Sequence, residues 1–407
     1  MSQVASRTSA ARLVLGLLLA ISPATRASDD PKAAGAEPDV SVSEQSLLNA
    51  ISQIESRDGA YSAALPEQML SLGLALQQQE RHSEALATFK RGVHLARINN
   101  GLYCPEQIPL LKGEIKSAIA LGEYGRVDEL QEYLYRVQLR GMESGTERAA
   151  ALVQQANWQF NAYQLGIGEL RSERLVSMWE LYRQAWTDIS ESKGELSPDL
   201  LPALHGMLRT QYLISDYRAE NENPGSAFSS SALNPSTSQL NAFRSQNYDL
   251  GRTVILAIYR IQETSKGADS EEAAAALVAL GDWALWNNKR NDATKTYQLA
   301  LAELAARDGA KPQEARLFAE PVPLPDISGL RRLPPPVSTQ QGNILVEFGV
   351  DVRGEVVDLV RLDTNTDSDA VAIRLMRRLR NTLFRPRFEA GEPAAMDKLV
   401  RAYDIKP

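Results

Sequence analysis

A chain of 407 residues, 43% hydrophobic and 23% charged, has an ordinary globular composition with room for two or three domains. Its net charge of -7 argues against a general nucleic-acid binder, because phosphate contacts need a clustered excess of Lys and Arg. The first residues depart from that average. Arg7 and Arg12 precede the apolar run 13–21, and Thr25, Arg26 and Ala27 place small residues at both positions that determine cleavage. The run is far short of the roughly 20 residues that span a bilayer. Residues 1–27 therefore read as a signal peptide cleaved near Ala27, leaving an exported chain with no transmembrane span. Cys104 is the only cysteine, so no intramolecular disulfide can form, and it reads as a structural thiol.

Residues 28–45 are small, polar and proline-containing and read as disordered. Helical periodicity then governs 46–308. Within it, Met69, Leu72, Gly73, Leu76, Ala85, Phe89 and Gly92 have a spacing that returns at Leu277, Leu280, Gly281, Ala284, Ala293, Tyr297 and Ala300. Two antiparallel helices approach closely only where small residues meet large ones, which assigns Gly73 and Gly281 to the crossings and Phe89 and Tyr297 to the space beside them. These two units resemble the tetratricopeptide repeat, a helix-turn-helix of about 34 residues. Leu130, Leu134 and Val137 repeat the spacing of Ala85, Phe89 and Gly92. Further helices are expected near 147–165, 173–190, 198–217 and 241–264, with a loop at 219–238. The expected fold is mainly α, an α-solenoid of about five or six helix pairs.

Prolines at 321, 323, 325 and 334–336 exclude a long helix, and 309–341 reads as a Pro-rich linker. After Gly342 the period switches to 2. Ile344, Val346, Phe348 and Val350 mark a half-buried strand, Gly354 a turn, and Val356 to Leu362 the partner strand. Ser368 or Asp367 can cap a helix carrying Val371, Leu375 and Leu379 on one face, and residues 396–405 form the last strand.

This ββαβ order, with "VEFGVDVRGEVVDL", "FRPRF" and the turn at Gly391, resembles the C-terminal domain of the TonB family of energy transducers, over about the last 65 residues. The resemblance implies a small α+β domain at 342–407 in which Phe384 and Phe388 are core anchors. The chain departs from the family in its short cleavable leader and in the helical array that fills most of its length.

No HExxH, cysteine pair or paired-carboxylate pattern occurs, and His82, His94 and His205 read as surface histidines, so no catalytic residue, metal or cofactor is expected. Gly166 and Gly168 lack the strand and third glycine of a dinucleotide fingerprint. Arg374, Arg377, Arg378, Arg380, Arg385 and Arg387 form a cluster with no acidic residue among the helical ones. Its first three members share a helix face by their spacing. They are either a solvated face or a docking surface for an anionic partner. Val278, Asp282 and Trp286 form a second face of their helix. By resemblance to tetratricopeptide proteins that face lines a peptide-binding groove, the alternative for Trp286 being burial against a neighbouring repeat. The expected function is a non-catalytic periplasmic adaptor with protein partners, among them envelope or outer-membrane proteins. The alternatives are an energy-transducer relative acting with an outer-membrane receptor and, more distantly, an uncharacterised enzyme.

Overall fold

The computed structural model describes residues 38–167, 170–218, 235–305, 316–364 and 368–405. The expected signal peptide and its cleavage site lie outside these residues, as do most of the 219–238 loop, the start of the Pro-rich segment, Gly168 and Asp367. The chain divides into two compact units, residues 1–143 with 160–169, and residues 144–159 with 170–407.

The first unit is built from α1 (Pro38–Asp58), α2 (Leu65–Gln78), α3 (His82–Asn100), α4 (Gln107–Ala120) and α5 (Tyr124–Gly141), each packed on the next, together with the end of α6 (Thr146–Leu165). Helix α1 begins inside the segment expected as disordered. Phe89 on α3 is fully buried between two glycines: a Cβ on Gly73 of α2 or on Gly113 of α4 would stand 2.4 or 2.6 Å from its ring. The missing side chains are what let three helices close around one aromatic.

The second unit begins with the first part of α6 and continues with α7 (Arg171–Lys193), a 3-10 turn (Pro198–Leu200), α8 (Leu201–Asp216), α9 (Pro235–Ser245), α10 (Asn247–Lys266), α11 (Glu271–Trp286) and α12 (Arg290–Ala305). The helix expected at 241–264 is two, broken at Gln246. The Gly-aromatic device recurs as Gly206 against Tyr182, Gly251 against Trp283 and Gly281 against Tyr297.

One turn closes three of the hairpins across the two units. The backbone N–H groups of Arg81, Glu123 and Lys289 reach back to the carbonyls of Leu76, Ala118 and Ala284 at 3.0, 3.0 and 2.8 Å. The residue before each donor, Glu80, Gly122 and Asn288, has φ of 59°, 74° and 59°. This is the left-handed helix stop that satisfies otherwise orphaned carbonyls.

Beyond α12 the second unit adds β1 (Val322–Pro323), β2 (Ile344–Val350), β3 (Val356–Arg361), α13 (Asp369–Arg380), β4 (Phe384–Arg385), β5 (Arg387–Glu389), β6 (Glu392–Ala394) and β7 (Met396–Tyr403). The main sheet is antiparallel in the order β3-β2-β7, while β1 pairs with β4 and β5 with β6. Ile344, Val346, Phe348 and Val350 turn inward against Val371, Leu375 and Leu379 of α13. Ser368 stands at the helix N-cap position, yet its hydroxyl donates to the Asn343 carbonyl at 3.4 Å instead of capping the helix.

The segment expected as a linker is packed, not bare. Phe318 and Leu324 are buried with Tyr297, Ala300 and Leu304 of α12, Leu333 joins the sheet core, and Val337 bridges to Ala402. Leu324 and Leu333 lie between the prolines, with Phe318 before them and Val337 after, so the segment covers the end of the helical array while the prolines keep its middle extended.

Candidate functional site

Asp282 lies on the face of α11 that the tetratricopeptide resemblance implied would line a groove, and it is 4% exposed. The Tyr297 hydroxyl donates to its Oδ1 at 2.7 Å. The Arg385 guanidinium grips both of its oxygens, Nε to Oδ1 at 3.0 Å and Nη2 to Oδ2 at 3.1 Å. Arg385 also reaches Asp326 at 3.0 Å and the Leu317 carbonyl at 3.2 Å, and its side chain is 2% exposed. Burial pushes the Asp282 carboxyl up, and Arg385 and the Tyr297 hydrogen bond oppose that shift. A buried cation is tolerable only when its donors find partners, and here two carboxylates and a carbonyl supply them. The arrangement is a closed ionic lock between α11 and β4 rather than a contact residue open to a partner.

Trp286, one turn further along α11, is engaged in the same way. Its indole N–H donates to Ser215 Oγ at 2.8 Å, Tyr212 stands edge-on with ring centroids 5.3 Å apart, and the Arg332 guanidinium lies 4.4 Å from the ring centroid. Arg332 also pairs with Asp216 at 2.6 Å. Asp282 and Trp286 are therefore both engaged within the chain, Trp286 by the burial that the sequence held open as its alternative. Arginines from the Pro-rich segment and from β4 cover that face: Arg385 supplies the countercharge that Tyr297 cannot give Asp282, and Arg332 lies over the indole whose N–H Ser215 already accepts.

The five residues of "FRPRF" divide between two cores. Phe384 is 3% exposed and faces Phe348 in the sheet core, with centroids 5.8 Å apart. Phe388 lies edge-on to Tyr297 at 5.4 Å and to Phe318 at 5.2 Å, in the core of the last helix pair. Alternation alone would place residues four apart on one face; the break between β4 and β5 at Pro386 sends the two rings to different neighbours. Gly354, at φ 79°, brings the β2–β3 hairpin against the same segment: Phe384 N–H donates to its carbonyl at 2.9 Å, and a Cβ there would meet the Phe384 oxygen at 1.9 Å.

The remaining arginines do not act as one cluster. Arg374, Arg377 and Arg380 are exposed on α13 and make no ion pair among the described residues. Arg378 donates to the Arg332 carbonyl, and Arg387 pairs with Glu389 at 3.0 Å. Ile373, 59% exposed, lies beside Arg374 and Arg377. Arg377, Arg378 and Arg380 stand in the last turn, where cations complement the helix dipole. Sequence reasoning grouped Arg385 with these residues and missed Asp326 and Arg332. Nothing local marks the partner of a residue 103 positions away. Among the described residues no three His, Cys, Asp or Glu side chains gather as a metal site, and no helix is long and apolar enough to cross a membrane.

No protein-family model matches the chain, and no curated protein matches it. Among solved structures, similarity is found to a Podosopora anserina protein assigned as a kinesin light chain with nearly identical TPR-like repeats. That match has 16% identity and a TM-score of 0.38, covering 60% of this chain and 96% of that one. A substituted variant of the same protein gives 15% identity and a TM-score of 0.38 over 59% and 94% of the two chains. BtubC (BKLC) from P. vanneervenii gives 13% and 0.38 over 67% and 94%. The helix pairing of this chain is established by its own packing around Gly73 and Gly281.

Proposed function

We propose that this chain is a non-catalytic periplasmic adaptor. Its tetratricopeptide-like array binds protein partners, and its TonB-like C-terminal domain docks to a component of the cell envelope. The observation that carries this reading is the unequal use of the arginines. Arg385 and Arg332 are consumed in fixing the C-terminal domain against α11, whereas Arg374 and Arg377 stand exposed on α13 without ion pairs among the described residues. A domain anchored on one side and basic on the other suits a rigid adaptor with a second surface for an anionic partner.

The test uses the full chain. Wild type and the Arg374→Glu/Arg377→Glu variant are immobilised and exposed to the same envelope extract. The variant is expected to lose one subset of captured proteins and keep the rest, with an unchanged melting temperature because exposed charges contribute little to stability. Identical captured sets would refute a docking role for α13.

One observation favours the energy-transducer alternative. In the order β3-β2-β7, β3 pairs on one side only among the described residues, and an open edge can accept an added strand. N-terminal sequencing separates the readings. A mature chain starting near Ser28 supports the adaptor, and retention of residues 1–27 as an anchor supports the transducer.

A further inference from the structure

Between the Pro-rich segment and the sheet core lies a cavity of about 400 Å3, a size typical of small-molecule sites. Phe348, Phe384, Leu333 and Leu399, each buried in the sheet core, make its apolar floor. Prolines 321, 323, 334 and 336 contribute walls with fixed φ and no N–H donor, so the shape is stiff and the backbone there offers few hydrogen bonds.

Recognition then falls to a few side chains. Leu399, Arg401 and Tyr403 share one face of β7 by the period of 2, so a guanidinium and a phenol stand in one row with the apolar floor. Tyr403 is 3% exposed, lines the cavity, and has a hydroxyl without a hydrogen-bond partner among the described residues. That hydroxyl is not among the buried polar atoms left unpaired, so it opens to the solvent of the cavity, where a ligand can take its hydrogen bond. A phenol is protonated at neutral pH in any case, and burial pushes this one further up, so it acts as a donor. Arg401 pairs with Glu320, whose side chain is 56% exposed, and Arg316 with Glu271. An exposed pair of this kind is worth little and exchanges readily for another carboxylate. Both arginines are already paired, so the cavity takes an anion by exchange for the exposed Glu320 at Arg401 rather than through a surplus of positive charge. The apolar floor disfavours inorganic phosphate and selects a ligand with an apolar body.

We propose that this cavity binds a small monocarboxylic acid with an aromatic or aliphatic body, its carboxylate held by Arg401 and the Tyr403 hydroxyl and its body resting on Phe348 and Leu399.

Calorimetric titration of the full chain with 4-phenylbutanoate, octanoate and the uncharged 4-phenylbutanamide tests this. The acids are expected to bind, with the amide about tenfold weaker or more, because a charge-assisted arginine pair is lost. Tyr403→Phe, which removes only the hydroxyl, and Arg401→Gln should each weaken the acids by about five- to tenfold. Arg387→Gln, outside the cavity, should leave them unchanged. Melting curves establish first that the variants are folded. Failure of both acids to bind at millimolar concentration, equal binding of acid and amide, or wild-type affinity in both folded variants would overturn the proposal.

Discussion

Arg385 has 2% of its side chain exposed and Arg387 has 31%, although one proline separates them. Removing Arg385 leaves Asp282 buried beside Tyr297 with no cation, and breaking a buried pair from one side costs about 3–5 kcal/mol. Removing Arg387 breaks an exposed pair with Glu389, for an expected change within about 0.5 kcal/mol. Urea titration of Arg385→Ala and Arg387→Ala should show this contrast, and equal midpoints would mean that the lock carries no stability. The sequence displayed both arginines as members of one basic stretch. It could not distinguish them, because what separates them is Asp282, far away in the chain and apposed only by folding. Phe384 and Phe388 were readable as core residues. That they enter different cores depends on a strand pairing between β1 and β4 too short to leave a periodic signal.

At the scale of the helix pair, Gly73 with Phe89 and Gly281 with Tyr297 were legible because the two pairs keep one separation inside one pattern. Gly206 with Tyr182 and Gly251 with Trp283 use the same physics and were missed. There the glycine follows the aromatic in one pair and precedes it in the other, across helices of unequal length, so no fixed spacing exists to recognise. The positive φ at Glu80 and Asn288 was equally invisible, since neither residue announces a left-handed turn as glycine does. A contrast between glycines tests this account. In Gly281→Ala the new Cβ would stand 2.4 Å from a Tyr297 ring that Asp282, Phe318 and Phe388 hold in place. Overpacking of about 1–3 kcal/mol should outweigh the gain in helix propensity. Gly125→Ala in α5 meets nothing within 4 Å and should stabilise by up to about 1 kcal/mol. A Gly281→Ala midpoint at or above wild type would show that the crossing has slack.

For the whole molecule, the decisive feature is how the helical array ends. A solenoid is stabilised by contacts between neighbours, so its last repeat presents an apolar face that something must cover. Here Tyr297, Ala300 and Leu304 of α12 are covered by Phe318, Leu324 and Phe388, and Asp282 of α11 is neutralised by Arg385. All four covering residues lie beyond residue 305. Ending the chain there would expose the last hairpin's core and strand a buried carboxylate, two of the few changes that destabilise strongly. Hydrogen exchange should therefore show α11 and α12 losing protection in the truncated chain. Protection in α2 to α5 should persist, because repeat stability is set by nearest neighbours. Undiminished protection of α12 after truncation would mean that the array closes itself and that the C-terminal domain is a passenger rather than its cap.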